Sequence, residues 1–226
     1  MNALKAYVRA IDAFNYGIGR IVMFGLFAMM GILLWSSFSK VFATPTLWTL
    51  EMAQFALVAY FMLGGPYAIQ MGSNVRMDLF YGSWSIKRKA WFDAFTVFFL
   101  IAYLVILLWG AISSAAYSLG HFRGEPFSFF WSIVAAFFTG GPDAVSEQLG
   151  HMERSASAWR PYLWPIKLLM VFAIILMLLQ AVSEFFKDIL RLRGEEIPGP
   201  DRTESNSPDA DAMYDDARDI NMKDIA

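Results

Sequence analysis

The 226-residue sequence contains no cysteine and only two histidines, His121 and His151. Without thiols, the chain has no disulfide framework, thiolate metal site or thiol nucleophile. Both histidines lie in the same stretch between two apolar runs, so no apolar run offers a pair of imidazoles to hold a haem. H-E-x-x-H and Walker-type phosphate-binding motifs are also missing. We therefore predict no catalytic residue, no cofactor, no metal site and no enzymatic activity.

Charged residues are scarce, at 17% of the chain, and they are unevenly distributed. Residues 195–226 contain ten of the twenty Asp and Glu but only three of the eighteen Lys and Arg. The rest of the chain is therefore mildly basic. No basic stripe interleaved with aromatic residues is present, so we expect no nucleic-acid partner; the charge balance suits an anionic membrane surface better.

Apolar residues are abundant, at 57% of the chain, and they occur in blocks. Four blocks are long enough to cross a bilayer, whose core of about 30 Å needs about 20 helical residues. They are Ile21–Phe38, Trp48–Gln70, Phe92–Tyr117 and Leu163–Phe186. Because the runs are continuous rather than alternating, they predict helices and not barrel strands. The fold class is thus an all-α integral membrane protein with a four-helix membrane domain over residues 21–193.

Basic residues near the ends of the spans predict the orientation, because they accumulate on the cytoplasmic side. Ten lie on the side that holds both termini, and four lie on the other. The ten are Lys5, Arg9, Arg20, Arg76, Lys87, Arg88, Lys89, Lys187, Arg191 and Arg193; the four are Lys40, Arg123, Arg154 and Arg160. We expect a multi-pass protein of a bacterial inner membrane with both termini in the cytoplasm.

Residues 1–20 predict an amphipathic helix that lies on the cytoplasmic interface. The residues assigned to its apolar side are Leu4, Tyr7, Val8, Ile11, Phe14 and Phe24. Lys5, Arg9 and Asp12 occupy its other faces. The alternative is a simple extension of the first span.

Two further regions lie outside the spans. The third loop, 120–161, contains the apolar run Pro126–Phe138, whose 13 residues are too short to cross the bilayer. We interpret this loop as an extracytoplasmic insertion of short interfacial helices with a lipid or protein partner. Residues 194–226, rich in Pro, Ser and Asp, predict a disordered acidic cytoplasmic tail.

Two charges lie close to span ends, Glu51 three residues after Trp48 and Lys167 three residues after Trp164. Charges inside a membrane are costly and often functional. These two are predicted to lie near the extracytoplasmic interface, where they pair with each other, pair with a partner subunit or extend to headgroups. No charged residue falls at the middle of a span, so a solute path through this chain alone is not expected.

The segment GSNVRMDLF, at residues 72–80, lies at the predicted cytoplasmic end of the second span. Gly72 is suited to ending the helix, and Arg76 fits the basic side. An Arg76–Asp78 contact at an interface would contribute little by itself, about 0–1 kcal/mol. The residues alone predict a turn that sets the register of the helix.

The chain resembles the small membrane subunit, of DctQ type, of tripartite ATP-independent periplasmic (TRAP) transporters. The strings that carry the resemblance are W-T-L-E-M with Trp48 and Glu51, L-G-G-P-Y-A with Gly64 and Gly65, and G-S-N-V-R-M-D-L with Asn74, Arg76 and Asp78. The fourth span is similar to the closing helix of the family. The resemblance covers Ile21–Leu119 and Tyr162–Leu190, without the third-loop insertion or the tail. Asn74 stands where the family usually has His, so a titrating role at that position is not expected here.

This resemblance implies two protein partners besides the lipid bilayer, a large membrane subunit of DctM type and a periplasmic solute-binding protein. In such transporters the large subunit carries the substrate and sodium sites and moves like an elevator, while the small subunit is a static scaffold. The resemblance therefore implies sodium-coupled symport of a small organic acid, with this chain bracing the permease. Structural or interface roles are expected for Trp48, Glu51, Gly64, Gly65, Asn74, Arg76, Asp78 and Lys167. The alternatives are a free-standing membrane anchor or assembly subunit, and a subunit of a membrane redox complex.

Overall fold

The computed structural model describes residues 2–42, 44–71 and 86–192. All regular secondary structure within them is α-helical, apart from one isolated β-bridge between Arg154 and Tyr162. The helices are α1 (Asn2–Met23), α2 (Gly25–Phe42), α3 (Thr49–Gln70), α4 (Ile86–Ser118), α5 (Pro126–Gln148) and α6 (Trp164–Leu192). The all-α fold class predicted from the sequence is confirmed.

Four helical segments are long and apolar enough to cross a membrane, as predicted. They are Leu4–Phe42, Thr49–Gln70, Phe95–Ser118 and Trp164–Leu190. The predicted span at 21–38 falls on the end of α1 and most of α2, and the other three fall on α3, α4 and α6. The chain is therefore a multi-pass membrane protein.

The four long helices form a row and not a closed bundle. Helix α6 packs against α3 on one side and against α4 on the other, and α2 packs on the far side of α3. In the described part of the chain, α3 and α4 do not pack against each other beyond isolated contacts, and neither do α2 and α4. The order across the row is therefore α2, α3, α6, α4, with α6 the most enclosed span.

Small residues allow the helices of the row to approach closely, as is common in membranes. Ala115 on α4 and Ala173 and Ala181 on α6 are completely buried. Gly65 on α3 lies against Met177 on α6, and a Cβ atom at Gly65 would come within 2.7 Å of the Met177 sulfur. A side chain at Gly65 would therefore have to displace the thioether end of Met177.

Helix α1 precedes α2 with only Phe24 between them, and it packs against α3 and α6. Its buried side combines apolar and polar residues. Val8 and Asp12 are buried, whereas Phe14 and Phe24 are 53% and 70% exposed. Asp12, predicted to lie on a face other than the apolar one, points into the protein because Lys187 on α6 neutralises it there. We call this part of the molecule, near Gln70 and Lys187, the α1 end of the row.

The opposite end carries α5 and a short hairpin that leads into α6. Phe129 of α5 packs against Ala116 and Leu119 at the end of α4. The exposed residues Phe127, Trp131, Val134 and Phe138 follow one helical face of α5. Residues 153–163 form a hairpin in which the Ser155 N–H donates to Pro161 O at 2.9 Å and the Leu163 N–H donates to Glu153 O at 3.2 Å. We call this the hairpin end.

Candidate functional site

A buried cluster of charged and amide side chains joins α1 to α6 at the α1 end. The Lys187 ammonium lies 2.6 Å from Asp12 Oδ2 and 2.8 Å from Glu184 Oε1. Gln180 donates through Nε2 to Asp12 Oδ1 at 3.0 Å and to Glu184 Oε1 at 3.2 Å. Each of these four side chains is more than 90% buried. One ammonium group therefore bridges two carboxylates from different helices, away from water.

Further hydrogen bonds extend this cluster to a second residue of α1 and to α3. Asn15 Nδ2 donates to Gln180 Oε1 at 2.7 Å, and Ser183 Oγ donates to Asp12 Oδ1 at 3.3 Å. From α3, Gln70 Nε2 donates to the backbone oxygen of Asp12 at 3.0 Å. The cluster thus fixes α1 against both α3 and α6.

Sequence analysis did not identify this cluster, although α6 carries a signal for it. Gln180, Ser183, Glu184 and Lys187 are spaced i, i+3, i+4 and i+7, which places them on one helical face. Lys187 entered the sequence analysis only as a basic residue flanking a span. A polar stripe at helical spacing next to a span predicts a buried contact better than single charges do.

At the hairpin end, Glu51 connects α3 to the hairpin. Its side chain is 6% exposed, and Ser155 Oγ donates to Glu51 Oε1 at 2.8 Å. Its other oxygen, Oε2, is buried and has no hydrogen-bond partner among the described residues. The carboxylate lies in the first turn of α3, where the helix dipole favours negative charge.

Lys167 connects α6 to the same hairpin and to the end of α4. Its ammonium lies 2.5 Å from Glu153 Oε2 and donates to the Ser114 backbone oxygen at 3.4 Å. Glu51 and Lys167 do not pair with each other in the structure. Each charge binds its own residue of the hairpin, Glu153 for Lys167 and Ser155 for Glu51.

Hydroxyl groups join α2 to α3 near Glu51. Thr49 Oγ1 donates to Ser36 Oγ at 3.1 Å, and both side chains are buried. Thr46 bridges Thr49 and Ser39, at 3.0 and 3.3 Å. Because α2 buries few other side chains, these hydroxyl groups are its specific contacts with α3. Apolar side chains do not provide such specificity in a membrane, because lipid tails are equally apolar.

The remaining predicted site residues differ in their surroundings. Trp48 precedes α3, is 39% exposed and makes no capping hydrogen bond with its side chain. Gly65 packs against Met177, whereas a Cβ atom at Gly64 would meet nothing within 4 Å. Gly64 therefore faces the surroundings of the protein. Asn74, Arg76 and Asp78 lie outside the described residues.

One face of the row contains an open apolar groove of about 330 Å³ between α3 and α4, with α6 as its floor. It is lined by Met62, Tyr103, Ile106, Leu107, Gly110, Ala111, Met170 and Ile174. Within the described ranges, no group of three or more His, Cys, Asp or Glu could hold a metal ion. The polar contacts at both ends of the row join helices and loops to one another, so they hold the parts of this chain together.

In a comparison with known protein families, residues 29–140 match the model of the DctQ component of tripartite ATP-independent periplasmic transporters. The match includes most of α2, all of α3 and α4, and the first part of α5. It thus extends to Gly140 in the third loop, which lies beyond the resemblance found in the sequence, and it does not include the fourth span. No curated protein and no solved structure gave a significant match.

Proposed function

The chain belongs to the DctQ family of TRAP transporter components, and from this premise we propose that it is a scaffold that braces a large permease subunit. The permease, of DctM type, would carry out sodium-coupled uptake of a small organic acid. A periplasmic solute-binding protein would deliver this substrate. The family match over residues 29–140 is the observation that carries the proposal.

The arrangement of the helices supports bracing over conduction. As far as the structure describes the chain, the row of four spans encloses no interior, and the groove on its face is open and apolar. The middle of each span also lacks Asp, Glu, Lys, Arg and His. Ions and carboxylates in a membrane need such groups or backbone dipoles along their path.

A flat row also offers broad apolar faces to a neighbouring protein. Gly64 on α3 and Gly110 on α4 both lack neighbours within 4 Å of a Cβ position. Small residues on exposed faces of membrane helices permit close approach of another helix. We propose that the permease packs on the side of α3 that presents Gly64.

We propose an inner-membrane protein with the α1 end in the cytoplasm, as the distribution of basic residues predicts. In this orientation, residues 72–80 lie on the cytoplasmic side, and Arg76 and Asp78 fix a turn that docks the second span on the permease. This role comes from the family resemblance of the segment.

The test is co-purification of the permease with a tagged form of this chain. The Arg76→Ala/Asp78→Ala variant is expected to recover less permease and to support less transport than the parent. Lys40→Ala, an exposed charge at the end of α2, is the matched control. Undiminished complex and transport in the double variant would reject the docking role. Failure of the parent chain to recover any permease would reject the scaffold and favour a free-standing anchor.

The third loop is proposed to extend the scaffold on the periplasmic side, near the docking position of the binding protein. Its hairpin is held by Glu51 and Lys167 and presents Arg154 and Arg160 as exposed cations. Deletion of Phe127–Met152 is expected to weaken transport or assembly. If both persist unchanged, the deleted segment only covers lipid.

A further inference from the structure

The charges of α1 are sorted between two sides of the helix. Its sequence contains one acidic residue, Asp12, and three basic residues, Lys5, Arg9 and Arg20. Asp12 is buried and neutralised by Lys187. Arg9 and Arg20 are exposed, and among the described residues neither guanidinium is paired with a carboxylate. Among the described side chains of α1, the exposed charged residues are therefore both cationic.

Arg9 and Arg20 belong to one stripe along α1. Arg9, Ala13, Tyr16 and Arg20 are spaced i, i+4, i+7 and i+11, so they share a helical face, and all four are exposed. The guanidinium of Arg20 lies over the Tyr16 ring, 5.7 Å from its centre. The two cations are about 16 Å apart along the helix axis at 1.5 Å per residue. We call these four residues the basic stripe.

The neighbouring flank of α1 is apolar. Phe14 and Ile21 are 53% and 74% exposed, and they lie on the other side of the buried face from the basic stripe. The arc between the two flanks is made of small residues, Ala6, Ala10 and Gly17, all exposed. A helix with an apolar flank and a separate basic flank is suited to the boundary between acyl chains and headgroups.

The level of α1 along the row agrees with this position. Gly19 lies directly against the Tyr67 ring, and Tyr67 is about 27 Å from the start of α3 at 1.5 Å per residue. The hydrocarbon core is about 30 Å thick. Arg20 therefore lies near the boundary of the hydrocarbon core. Arg9 lies closer to the start of α1, at Asn2.

We propose that the basic stripe of α1 binds the headgroups of anionic phospholipids. The buried Asp12–Lys187 contact is part of this site, because it turns the one carboxylate of α1 away from the lipid phosphates. Each guanidinium near an anionic surface is expected to strengthen binding about fivefold, and the two together about 25-fold. This inference does not depend on the transport function.

The natural absence of cysteine makes a direct test possible. Ala13→Cys places a single thiol in the middle of the basic stripe, where it is labelled with a fluorophore in the full-length protein. The labelled protein is reconstituted into phosphatidylcholine vesicles. Small amounts of one of two lipids are then added: phosphatidylglycerol or phosphatidylcholine, each carrying a quenching group in its headgroup region. The phosphatidylglycerol quencher is expected to act at a mole fraction about 25-fold lower than its phosphatidylcholine counterpart.

Three variants complete the experiment. Arg9→Gln/Arg20→Gln should remove the preference for phosphatidylglycerol, while Arg9→Lys/Arg20→Lys should keep most of it because the charge remains. Arg123→Gln, an exposed cation at the hairpin end, should leave the preference unchanged. The helix content of each variant, measured by circular dichroism in the same vesicles, verifies that it is folded.

The proposal is overturned if both quenchers act equally on the parent, or if the preference survives in the double Gln variant. It is also overturned if the preference appears only after residues 195–226 are deleted, because the acidic tail would then be the occupant of the stripe. Protection of the fluorophore from both quenchers would assign the stripe to a protein contact and would overturn the proposal as well.

Discussion

Both ends of the helix row hold charged side chains near the membrane, but the two ends differ in how far these side chains are buried. At the α1 end, Lys187 and its carboxylates are more than 90% buried and belong to two helices. At the hairpin end, the side chains of Lys167 and Glu153 remain 20% and 31% exposed. Water therefore still solvates the second pair but not the first. We therefore expect the loss of a charge partner to reduce the free energy of unfolding much more at the α1 end than at the hairpin end.

The largest effect is expected for Lys187→Met, which leaves the buried carboxylate of Asp12 without the ammonium that lies 2.6 Å from it. Removing one partner of a buried ion pair typically costs about 3–5 kcal/mol. The free energy of unfolding in mixed micelles, measured by denaturant titration, checks this. Lys40→Met, an exposed lysine at the end of α2, is the control. Equal stability of the two variants would contradict the comparison.

At the α1 end, a variant that replaces all three charged side chains separates the effect of charge from the effect of packing. Asp12→Asn/Glu184→Gln/Lys187→Met removes the uncompensated charge together with the ammonium. This triple variant is expected to recover most of the stability that Lys187→Met loses, because replacing a whole buried ion cluster is often nearly neutral. If the triple variant unfolds as easily as the single one, the loss comes from packing and not from charge.

An intermediate effect is expected at the contact between α3 and α6. Gly65→Leu forces a side chain into the Met177 contact, and such overpacking costs about 1–3 kcal/mol. Gly64→Leu is the matched control, because its side chain enters open space. Gly64→Leu should leave the isolated protein as stable as the parent but reduce permease recovery. Reversal of the two stability effects would contradict the packing described for α3.

The smallest effect is expected for Lys167→Met at the hairpin end. Glu153 is solvated in part, so its loss of a partner should cost about 1 kcal/mol. Limited proteolysis of the 153–163 hairpin measures the local consequence, with faster cleavage expected than in the parent. A stability loss as large as that of Lys187→Met would mean that the two ends do not differ as described.

Much of the architecture was predictable from the sequence because the spans are long and continuously apolar. The four spans and the all-α class follow from length and hydrophobicity alone. The row arrangement does not, because apolar residues face lipid and protein alike in a membrane. Ala173 is completely buried and Phe172 is 46% exposed, and hydrophobicity alone does not separate the two.

The polar contacts were harder to predict because they join residues far apart in the chain. The sequence separates Asp12 from the apolar face of α1 but does not predict its burial, which only the position of Lys187, 175 residues later, explains. Glu51 and Lys167 are recognisable in the sequence as charges near span ends. Their partners, Ser155 and Glu153, lie in a hairpin whose fold the sequence does not reveal.

The most direct test of the scaffold role is solute uptake by liposomes that contain this chain alone, the permease alone or both, with the binding protein and a sodium gradient supplied. If the chain is a scaffold, we expect no uptake by the chain alone and full uptake only when both membrane subunits are present. Sodium-driven uptake by liposomes that contain only this chain would contradict it.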